Sequence, residues 1–399
     1  MANPYARSLA LAIGLAVHGP GLAAPAPGRP AAPKTAGTTA TTAAPAPATQ
    51  PISEPLSAAL PPQAWAQVEK SVDRALKWLS TQQSRDGSFD APDNAQPAAT
   101  ALSVMAFLSR GHVPGEGPYG RHLDRGIDFV LQCQSSEGLL AAAGSDSGSN
   151  GKTANYNHAI AGLMLTEVYG MTDRSRAAKL KPAIERAVQF TRRNQTLPKE
   201  NPGTEGGWRY LYSNRLGDSD LSVTAWQLMF LRSARNAEFD IPKAFIDEAV
   251  TYVLSCWEDR QGLFYYQRSG DQVRWSRGMI GAGTLSLAMA GQHGTTVAQR
   301  AGDWLLTHPF HGFGDTLGSG DRFFYSTYYC SQAMAQLGGR HWKIFFPNLV
   351  NTLLQGQQPS GEWPPEPYGS DSMFGNTYTT AMAVLSLTPP LQLLPVYQR

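Results

Sequence analysis

The polar residues of this chain that could do chemistry stand beside the starts of its long apolar runs. They are Asn157, His158, Asp218, Asp220, Arg277, Tyr325, Tyr328, Tyr329, Asn376 and Tyr378. His158 in YNHAIAG could orient a ligand or transfer a proton, and Arg277 in WSRGMIG could bind an anion such as a diphosphate. Each side chain could equally do no more than bond to neighbouring turns and helix ends. In GDSDLSVTAWQ, likewise, Asp220 suits the N-cap of the run that follows it, and Asp218 can close a turn.

Composition argues against several classes of function. The chain has 399 residues and a net charge of only +2, so it has no strong electrostatic attraction for nucleic acid. Its three cysteines are far apart, too few for a disulfide framework and without a zinc-binding spacing. His308 and His311 in HPFH are weak evidence for a metal site, and there is no glycine-rich phosphate loop. We therefore expect neither a metal nor another cofactor.

The N-terminal segment is typical of an exported protein. A basic residue, Arg7, precedes a short apolar core at residues 8–17, and small residues around Ala23 and Ala24 suit cleavage. An Ala-, Pro- and Thr-rich stretch follows. We predict a signal peptide at 1–24, a disordered linker at 25–62 and a folded domain at 63–399, located in the periplasm or secreted. A retained membrane anchor is the alternative.

The rest of the chain repeats one pattern of helices. An amphipathic helix is followed by a helix that is apolar on nearly every side, as in residues 64–81 and then AATALSVMAFLS at 98–109. The same order recurs five more times, and no run after the leader is long and apolar enough to cross a membrane. The sequence therefore predicts an all-α fold of six helix pairs.

Glycines in the turns indicate the period. Gly87, Gly138, Gly206, Gly262 and Gly361 follow the first helices of five pairs, and the double-length gap before Gly361 indicates that the fifth pair has lost its glycine. A helix pair of this size must stack on its neighbours to bury its apolar face. Periodicity leaves open both an open solenoid and a closed ring. The contrast between the two helix types favours a double-walled barrel with the apolar helices inside.

One short motif resembles a known repeat. Gln357, Gly361 and Trp363 have the spacing Gln-x-x-x-Gly-x-Trp, Gln83, Gly87 and Phe89 form a variant, and GGW stands at 206–208. This pattern resembles the prenyltransferase and squalene-oxidase repeat of terpenoid cyclases and protein prenyltransferase β-subunits. The resemblance implies an α6/α6 toroid over roughly residues 64–399. The segment from Gly206 to Arg235 and the tail from Tyr378 look like a bacterial group of exported single-toroid proteins.

GDSDLSVTAWQ also resembles the Asp-x-Asp-Asp motif with which class II terpene cyclases protonate an alkene or an epoxide. The resemblance places Asp220 at the position of the proton-donating acid and Asp218 as its supporting carboxylate. Leu221 stands where that family has its last aspartate. The family also encloses its cavity between two barrels, whereas this chain has room for one.

A barrel of this type is expected to hold its ligand at the mouth and in an apolar central cavity. The expected ligand is an apolar or isoprenoid small molecule. Beyond the two aspartates and His158, we predict the following contacts to it: Asn157, Trp208, Tyr210, Trp226, Arg277, Tyr325, Tyr329, Asn376 and Tyr378.

Three other activities of helical barrels fit the residues less well. Ser326 stands where protein prenyltransferases have a zinc-binding histidine, and CQSSEG lacks the Cys-Gly-Glu-Gln run of thioester domains. A glycosidase could pair Asp218 or Asp220 with Glu362 or Asp371, but the repeat motif favours the terpenoid branch.

Two hypotheses about function follow. The first is a cyclase-like isomerase or lyase that protonates an isoprenoid through Asp220, supported by Asp218 and with His158 as a further catalytic candidate. The second is a non-catalytic toroid that binds an apolar ligand, a peptide or a protein. The sequence leaves open whether the protein is an enzyme.

Overall fold

The computed structural model describes residues 54–142, 144, 151–211, 218–268, 274–318, 320–366 and 370–398. The predicted signal peptide at 1–24 and residues 25–53 of the predicted linker at 25–62 lie outside these residues. Residues 54–62 of that linker are described and include a 3-10 helix at Leu56–Ala59. The described part contains twelve α-helices and a single pair of two-residue strands, β1 (Trp257–Glu258) and β2 (Leu263–Phe264). The prediction of an all-α fold is confirmed.

The helices alternate between two layers. The odd-numbered helices form the outer layer: α1 (Pro62–Thr81), α3 (Gly120–Gln132), α5 (Arg174–Gln195), α7 (Lys243–Ser255), α9 (Thr296–Thr307) and α11 (Gly339–Gly356). The even-numbered helices form the inner layer: α2 (Ala98–Ser109), α4 (Gly151–Tyr169), α6 (Leu221–Asn236), α8 (Arg277–Met289), α10 (Phe323–Leu337) and α12 (Gly375–Leu387).

Burial explains which layer each helix occupies. Every residue of α2 and α8 is buried, whereas α1 buries only one face, built from residues such as Val68, Val72 and Leu76. A helix that is apolar on all sides must be enclosed by others, and an amphipathic helix can face water. The predicted order of layers is therefore confirmed.

The helix pairs close into a ring. Each inner helix packs against the next inner helix along the chain, and α12 packs against both α2 and α1. A contact between the last pair and the first pair excludes an open solenoid. The fold is an α6/α6 toroid, as the sequence predicts.

Gln357 makes the bond that joins the last helix pair to the first. Its side-chain Nε2 donates to the carbonyl oxygen of Gly361 in its own turn (2.8 Å) and to that of Ser71 in α1 (2.9 Å). Trp363, buried behind the turn, donates its backbone N–H to Thr380 Oγ1 of the inner helix α12 (3.1 Å). The motif thus ties together its own turn, the next outer helix and its own inner helix.

The same set of bonds recurs in three other turns. In each of them a glutamine donates to a carbonyl of its own turn and to one in the next outer helix: Gln83 to Gly87 and His122, Gln134 to Gly138 and Ala183, and Gln195 to Gly206 and Phe245. Gln195 lies eleven residues before its glycine rather than four. An insertion in that turn hides the motif in the sequence but leaves the bonds in place.

Two turns are built differently. Gly262 has the spacing of a turn glycine but lies in the hairpin between β1 and β2, with no backbone atom of another helix against it. The turn after α9 has no motif glutamine, in agreement with the lost glycine, and is held by the buried Arg277 instead. In these two repeats the helix pair is present, although the turn lacks the glutamine and glycine contacts of the other four.

The close approach of helices at the motif glycines can be tested with Gly361→Ala. A Cβ at Gly361 would lie 2.5 Å from the Arg74 carbonyl oxygen of α1, and the residue has a φ of +118°. We expect this substitution to lower the free energy of unfolding by about 3 kcal/mol or more, because steric overlap adds to backbone strain. Urea unfolding followed by far-ultraviolet circular dichroism measures the loss.

Gly291→Ala is the matched control for backbone strain alone. Gly291 also has a positive φ, +77°, but a Cβ there would have no atom within 4 Å. It should cost only about 1 kcal/mol. Equal losses in the two variants would show that the ring contact at Gly361 does not limit stability.

Candidate functional site

The candidate site lies at the end of the barrel where the inner helices begin. Because each inner helix follows an outer one, all six inner helices run in the same direction and present their N-termini at one mouth. Asp220 is the N-cap of α6, and its Oδ1 accepts from the Val223 backbone N–H (2.8 Å). The N-cap interpretation of Asp220 is therefore correct, but it accounts for only one carboxyl oxygen.

The second oxygen, Asp220 Oδ2, is buried and has no hydrogen-bond partner. Burial raises the pKa of Asp220 to about 7, against the opposing effects of the Val223 N–H, the Arg209 guanidinium and the Tyr266 hydroxyl. At neutral pH a large fraction of this carboxyl carries its proton. Asp220 is therefore a buried acid whose Oδ2 has no partner at normal hydrogen-bond geometry, although the Tyr266 hydroxyl lies close enough to lower its pKa.

Tyrosine hydroxyls surround this acid. Tyr210 and Tyr266 share a hydrogen bond between their hydroxyls (2.7 Å). Tyr156 of α4 donates to Ser222 Oγ of α6 (2.9 Å), and Ser222 Oγ is bonded in turn to the Tyr325 hydroxyl of α10 (2.6 Å). This chain of bonds joins three inner helices, and since α6 and α10 are not neighbours in the ring, it crosses the mouth.

The charge of Asp220 also affects the pKa of these tyrosines. Burial first, and then the Asp220 carboxylate, raise the pKa of Tyr156, Tyr210 and Tyr266. All three hydroxyls therefore stay protonated at neutral pH. Their rings enclose the acid with aromatic surface and with neutral hydrogen-bonding groups.

Asp218 does not support Asp220 in the way that the sequence predicts. Its Oδ1 accepts from Asn201 Nδ2 (2.6 Å), and its charge acts on Lys199. The intervening Ser219 is buried and bonded to the Thr204 carbonyl oxygen (2.6 Å). In the extended segment before α6, alternate side chains point to opposite sides, and the carboxylate of Asp218 bonds within its own loop.

A second acidic group lies on the α10 and α12 side of the mouth. Arg322 Nη2 forms an ion pair with Asp371 Oδ1 (2.7 Å), and Asp371 Oδ2 accepts from the Phe324 N–H at the start of α10 (3.0 Å). The Arg322 guanidinium also lies over the rings of Phe374 (4.9 Å) and Tyr325 (5.9 Å). Because both oxygens of Asp371 are bonded to these partners, Asp371 does not fit the role of a catalytic carboxylate in a glycosidase.

Stacked aromatic side chains fill the middle of the barrel. The ring of Trp226 is stacked on that of Tyr328, with centroids 5.2 Å apart, and meets Tyr329 edge-on at 5.3 Å. All three side chains are buried, and the first contact joins α6 to α10 across the lumen. Trp226 and Tyr329 therefore form a floor below the mouth. At this level the aromatic rings occupy the axis of the barrel, and the expected apolar central cavity stays a prediction.

The C-terminal tail closes the far end. Tyr397 is bonded through its hydroxyl to that of Tyr328, and its carbonyl oxygen accepts from Gln336 Nε2 (2.6 Å). Glu167 of α4 is buried there and accepts from the Val396 N–H (3.3 Å). The end of the barrel opposite the mouth is thus covered by the tail.

Two concavities lie elsewhere on the surface. One, of about 410 Å³, is lined by Asp73, Leu76, Arg110, His112 and Tyr119; the other, of about 510 Å³, lies between α5 and the start of α7. Neither includes a residue of the mouth. Their linings mix both charge signs and show no unpartnered buried acid, so they carry no functional argument.

His158 has a structural role. Its Nδ1 accepts from the Leu140 N–H (3.1 Å), so Nε2 carries the proton and donates to Thr191 Oγ1 (2.9 Å). In the other motif turns a threonine accepts the equivalent N–H. Burial lowers the pKa of His158 to about 3. The prediction of a catalytic histidine is wrong, because both ring nitrogens are occupied between the two layers.

Arg277 is likewise saturated by its own surroundings. Its side chain is buried, with Nε donating to Asp321 Oδ2 (2.8 Å), Nη1 to Asp315 Oδ2 (3.1 Å) and Nη2 to the Asp315 carbonyl oxygen (2.6 Å). It also lies 4.0 Å from the Phe310 ring. Arg277 holds the turn after α9, so the predicted anion site is replaced by an internal ion pair.

Of the other residues predicted to contact a ligand, some hold helices together and some lie at the mouth. Asn157 accepts from the Ala98 N–H at the start of α2 (3.1 Å), and Trp208 Nε1 donates to the Thr191 carbonyl oxygen (2.9 Å), so both hold helices together. Asn376 is exposed. Of the predicted ligand contacts, Tyr210, Tyr325 and Tyr378 lie at the mouth.

Four residues of the mouth were missed: Tyr156, Tyr266, Arg322 and Glu366. Tyr156 is the residue immediately before the predicted Asn157 and His158, and on a helix that one step turns the side chain by about 100° toward the lumen. Tyr266, in the GLFYY segment, was visible as an aromatic pair. Arg322 and Glu366 carried no signal, because isolated charges in loops are common.

Comparison with known proteins supports the fold. No protein-family model and no curated protein matches the sequence. Among solved structures, a variant of the type II terpene cyclase MstE of Scytonema, in complex with its substrate geranylgeranyl dihydroxybenzoate, aligns with a TM-score of 0.57 and 16% identity. The match covers 84% of this chain and 100% of that one. The chain has the α/α-toroid fold.

Glycoside hydrolases share this toroid. An inactive variant of the α-1,6-mannanase GH76A of Salegentibacter sp. HEL1_6 aligns with a TM-score of 0.57 and 10% identity, over 82% of this chain and 99% of that one. A family 76 enzyme from a bovine Bacteroides thetaiotaomicron strain gives a TM-score of 0.58 and 11% identity, over 82% and 79%. At such identities the likeness shows the fold alone.

Two absences apply to the described residues. Within them no group of three His, Cys, Asp or Glu side chains is arranged to hold a metal ion. In the same part of the chain no helix has the length and apolar character needed to cross a membrane.

The structural role of His158 predicts a pH-dependent effect of His158→Thr. Threonine can accept the Leu140 N–H as it does in the other turns, but loses the bond to Thr191, so we expect a loss of about 2 kcal/mol at pH 7. The wild type loses stability as pH falls below about 6.5, because the unfolded chain binds a proton that the native His158 does not.

As pH falls from 6 to 4, the stability of the variant relative to the wild type should therefore rise by about 1.4 kcal/mol per pH unit, so the deficit vanishes near pH 5 and the variant is the more stable protein at pH 4. Urea midpoints at several pH values measure it, with the exposed His293→Thr as control. A constant deficit over this range would contradict the buried neutral histidine.

Proposed function

We propose that the protein is an acid-catalysed cyclase of an isoprenoid substrate, with Asp220 as the proton donor. The observation that supports this most directly is the Asp220 carboxyl, whose Oδ2 is buried and unpartnered while its pKa is raised to about 7. A carboxylic acid kept neutral by its surroundings is the group that proton-initiated cyclisation needs. The fold likeness to a type II terpene cyclase agrees with it.

The first step transfers the proton from Asp220 Oδ2 to a terminal alkene carbon or an epoxide oxygen. The carboxylate that forms is stabilised by the Val223 N–H on Oδ1 and by the Arg209 guanidinium. The carbocation lies against the faces of aromatic rings such as Tyr210 and Tyr325, whose π electrons attract positive charge. Ring closure and loss of a proton complete an isomerisation with no net change in composition.

The structure refines the class of substrate. Leu221 replaces the last aspartate of the related motif and Asp218 bonds to Asn201, so no second carboxyl raises the acidity of Asp220. An acid of pKa about 7 is better matched to an epoxide oxygen than to an unactivated alkene, because the oxygen is the more basic. The floor of Trp226, Tyr328 and Tyr329 restricts the substrate to the mouth.

The proposal places this chemistry outside the cytoplasm. Its support is the N-terminal sequence alone, with Arg7, the apolar core at 8–17 and the small residues at Ala23 and Ala24. Mass spectrometry of the mature chain from its native host would show an N-terminus near residue 25. An intact Met1 would contradict cleavage.

A non-catalytic binding protein is the second candidate. The aromatic floor favours it, because a ligand above Trp226 and Tyr329 would occupy the mouth without entering the middle of the barrel. A ligand that copurifies and stays chemically unchanged on incubation would support this function. Turnover of the same molecule would contradict it.

The acid role predicts a separation of activity from stability in Asp220→Asn. The asparagine oxygen can still accept the Val223 N–H, so the N-cap remains, but no acidic proton is available. We expect turnover of 2,3-oxidosqualene or geranylgeranyl epoxide to fall by at least about 1000-fold with a nearly unchanged melting temperature. Gas chromatography of extracted products and differential scanning calorimetry provide the two measurements.

Asp218→Asn is the matched control and should retain activity, since Asp218 bonds only within its loop. Undiminished turnover in Asp220→Asn would refute the acid role.

The pKa of Asp220 also predicts a pH profile. Because only the protonated carboxyl can donate, turnover should decline as pH rises through about 7, by about tenfold per unit well above it. Initial rates between pH 5 and pH 9 test this. A rate that increases with pH across that range would exclude a general acid of this pKa.

A further inference from the structure

Glu366 is a second buried acid on the opposite side of the mouth. It lies in the segment between the Trp363 turn and α12. Counted around the ring, α6 is the third inner helix and α12 is the sixth. In a closed ring of six, these two helices face each other. Asp220 and Glu366 therefore approach the mouth from opposite sides.

Both carboxyl oxygens of Glu366 lack a hydrogen-bond partner. The side chain is only 3% exposed, so water does not replace the missing partners. A buried acid that no side chain pairs with, and that backbone N–H groups reach only outside normal hydrogen-bond geometry, costs stability, and such groups are rare in folded proteins. A ligand in the mouth would supply what the protein leaves out.

The neighbours of Glu366 keep it apart from the nearest ion pair. Asp371 is bonded to the Arg322 guanidinium and to the Phe324 N–H. The positive charge of Arg322 is therefore paired with Asp371 and not with Glu366. Burial, and then the negative charge of Asp371, raise the pKa of Glu366, while its own backbone N–H, the Arg322 guanidinium and the Asp371 backbone N–H act in the opposite direction. Burial raises the pKa of Tyr378, and the nearby charges of Asp371 and Glu366 raise it further.

The loop on the other side of Glu366 adds no competing partner. A Cβ placed on Gly314 would lie 3.5 Å from the Cβ of Glu366. The next residue, Asp315, is held by Arg277 and the His311 N–H. Among the described residues, Glu366 is the carboxyl for which both oxygens lack a hydrogen-bond partner, whereas Glu362, four residues earlier, has one such oxygen, Oε2.

We infer that Glu366 is the base that ends the reaction by removing a proton from the cyclised carbocation. This inference rests on the proposed function. The C–H bond beside the cationic carbon breaks, its electron pair forms the new C=C bond, and the proton goes to a Glu366 carboxylate oxygen. Asp220 has lost one proton and Glu366 has gained one, and exchange with water after product release restores both.

The acid itself can be tested without a substrate by dicyclohexylcarbodiimide. This apolar reagent reacts only with protonated carboxyl groups that it can reach. The acid O–H adds across a C=N bond to give an O-acylisourea, and an acyl shift from oxygen to nitrogen then gives a stable N-acylurea adduct. Peptide mass spectrometry of the labelled protein at pH 6 should find the adduct on Glu366 and on Asp220. Labelling of Glu366 should decrease as pH rises, because ionisation removes the reactive form.

Glu366→Gln should remove the first adduct and keep the second. Glu362→Gln, four residues earlier in the same segment and partly exposed, is the matched control and should leave both in place. Absence of the adduct on Glu366 in the wild type would overturn the inference, whether or not Asp220 is labelled.

The role as a base is tested by the products. With the epoxide substrates, Glu366→Gln should still consume substrate, but the ratio of hydroxylated to olefinic products should rise by at least about tenfold, because water captures a cation that no base deprotonates. An unchanged product ratio in Glu366→Gln, with Asp220→Asn inactive, would overturn the base and leave the cyclase intact. Full activity of Asp220→Asn would overturn the cyclase, and the base role with it.

Discussion

The side-chain amide of a turn glutamine donates to two carbonyl oxygens at once, one in its own turn and one in the next outer helix. Four of the six helix pairs are joined to their neighbours in this way, by Gln83, Gln134, Gln195 and Gln357. Because the bonds fix where each pair lies against the next, they set the curvature that closes the ring. All features of the mouth depend on that closure, since it brings α6, α10 and α12 to face one another.

The mouth concentrates groups that the rest of the fold would exclude. Asp220 and Glu366 are buried acids with unpartnered oxygens, whereas Arg277 and Asp371 are buried charges with their partners in place. Charges of the second kind hold loops and helix ends. Acids of the first kind lower the stability of the native state, and such groups mark functional sites more often than structural ones.

The fold could be predicted because its signals are periodic. Six alternations of amphipathic and fully apolar helices specify both layers, and the motif at Gln357 indicated the ring. The site was predicted less well, for a physical reason. A helix buried on all sides has no polar face, so its sequence does not show which residues face the lumen. Asn157 is bonded to the start of the neighbouring inner helix α2 and His158 to the outer helix α5, while the adjacent Tyr156 faces the mouth. Glu366 stands outside any helix and gave no pattern at all.

The bond between Gln357 and Ser71 has a consequence for the order of folding. Its two ends are 286 residues apart along the chain, so the first helix pair must wait until almost the entire protein has been synthesised before its last neighbour exists. Until then the apolar edge of α1 and α2 has no cover, as at the end of an open stack of repeats. Closure is a long-range event that comes late and proceeds slowly compared with the formation of each helix pair. The toroid is therefore a repeat protein that caps itself, with its own last repeat serving as the protective end of its first.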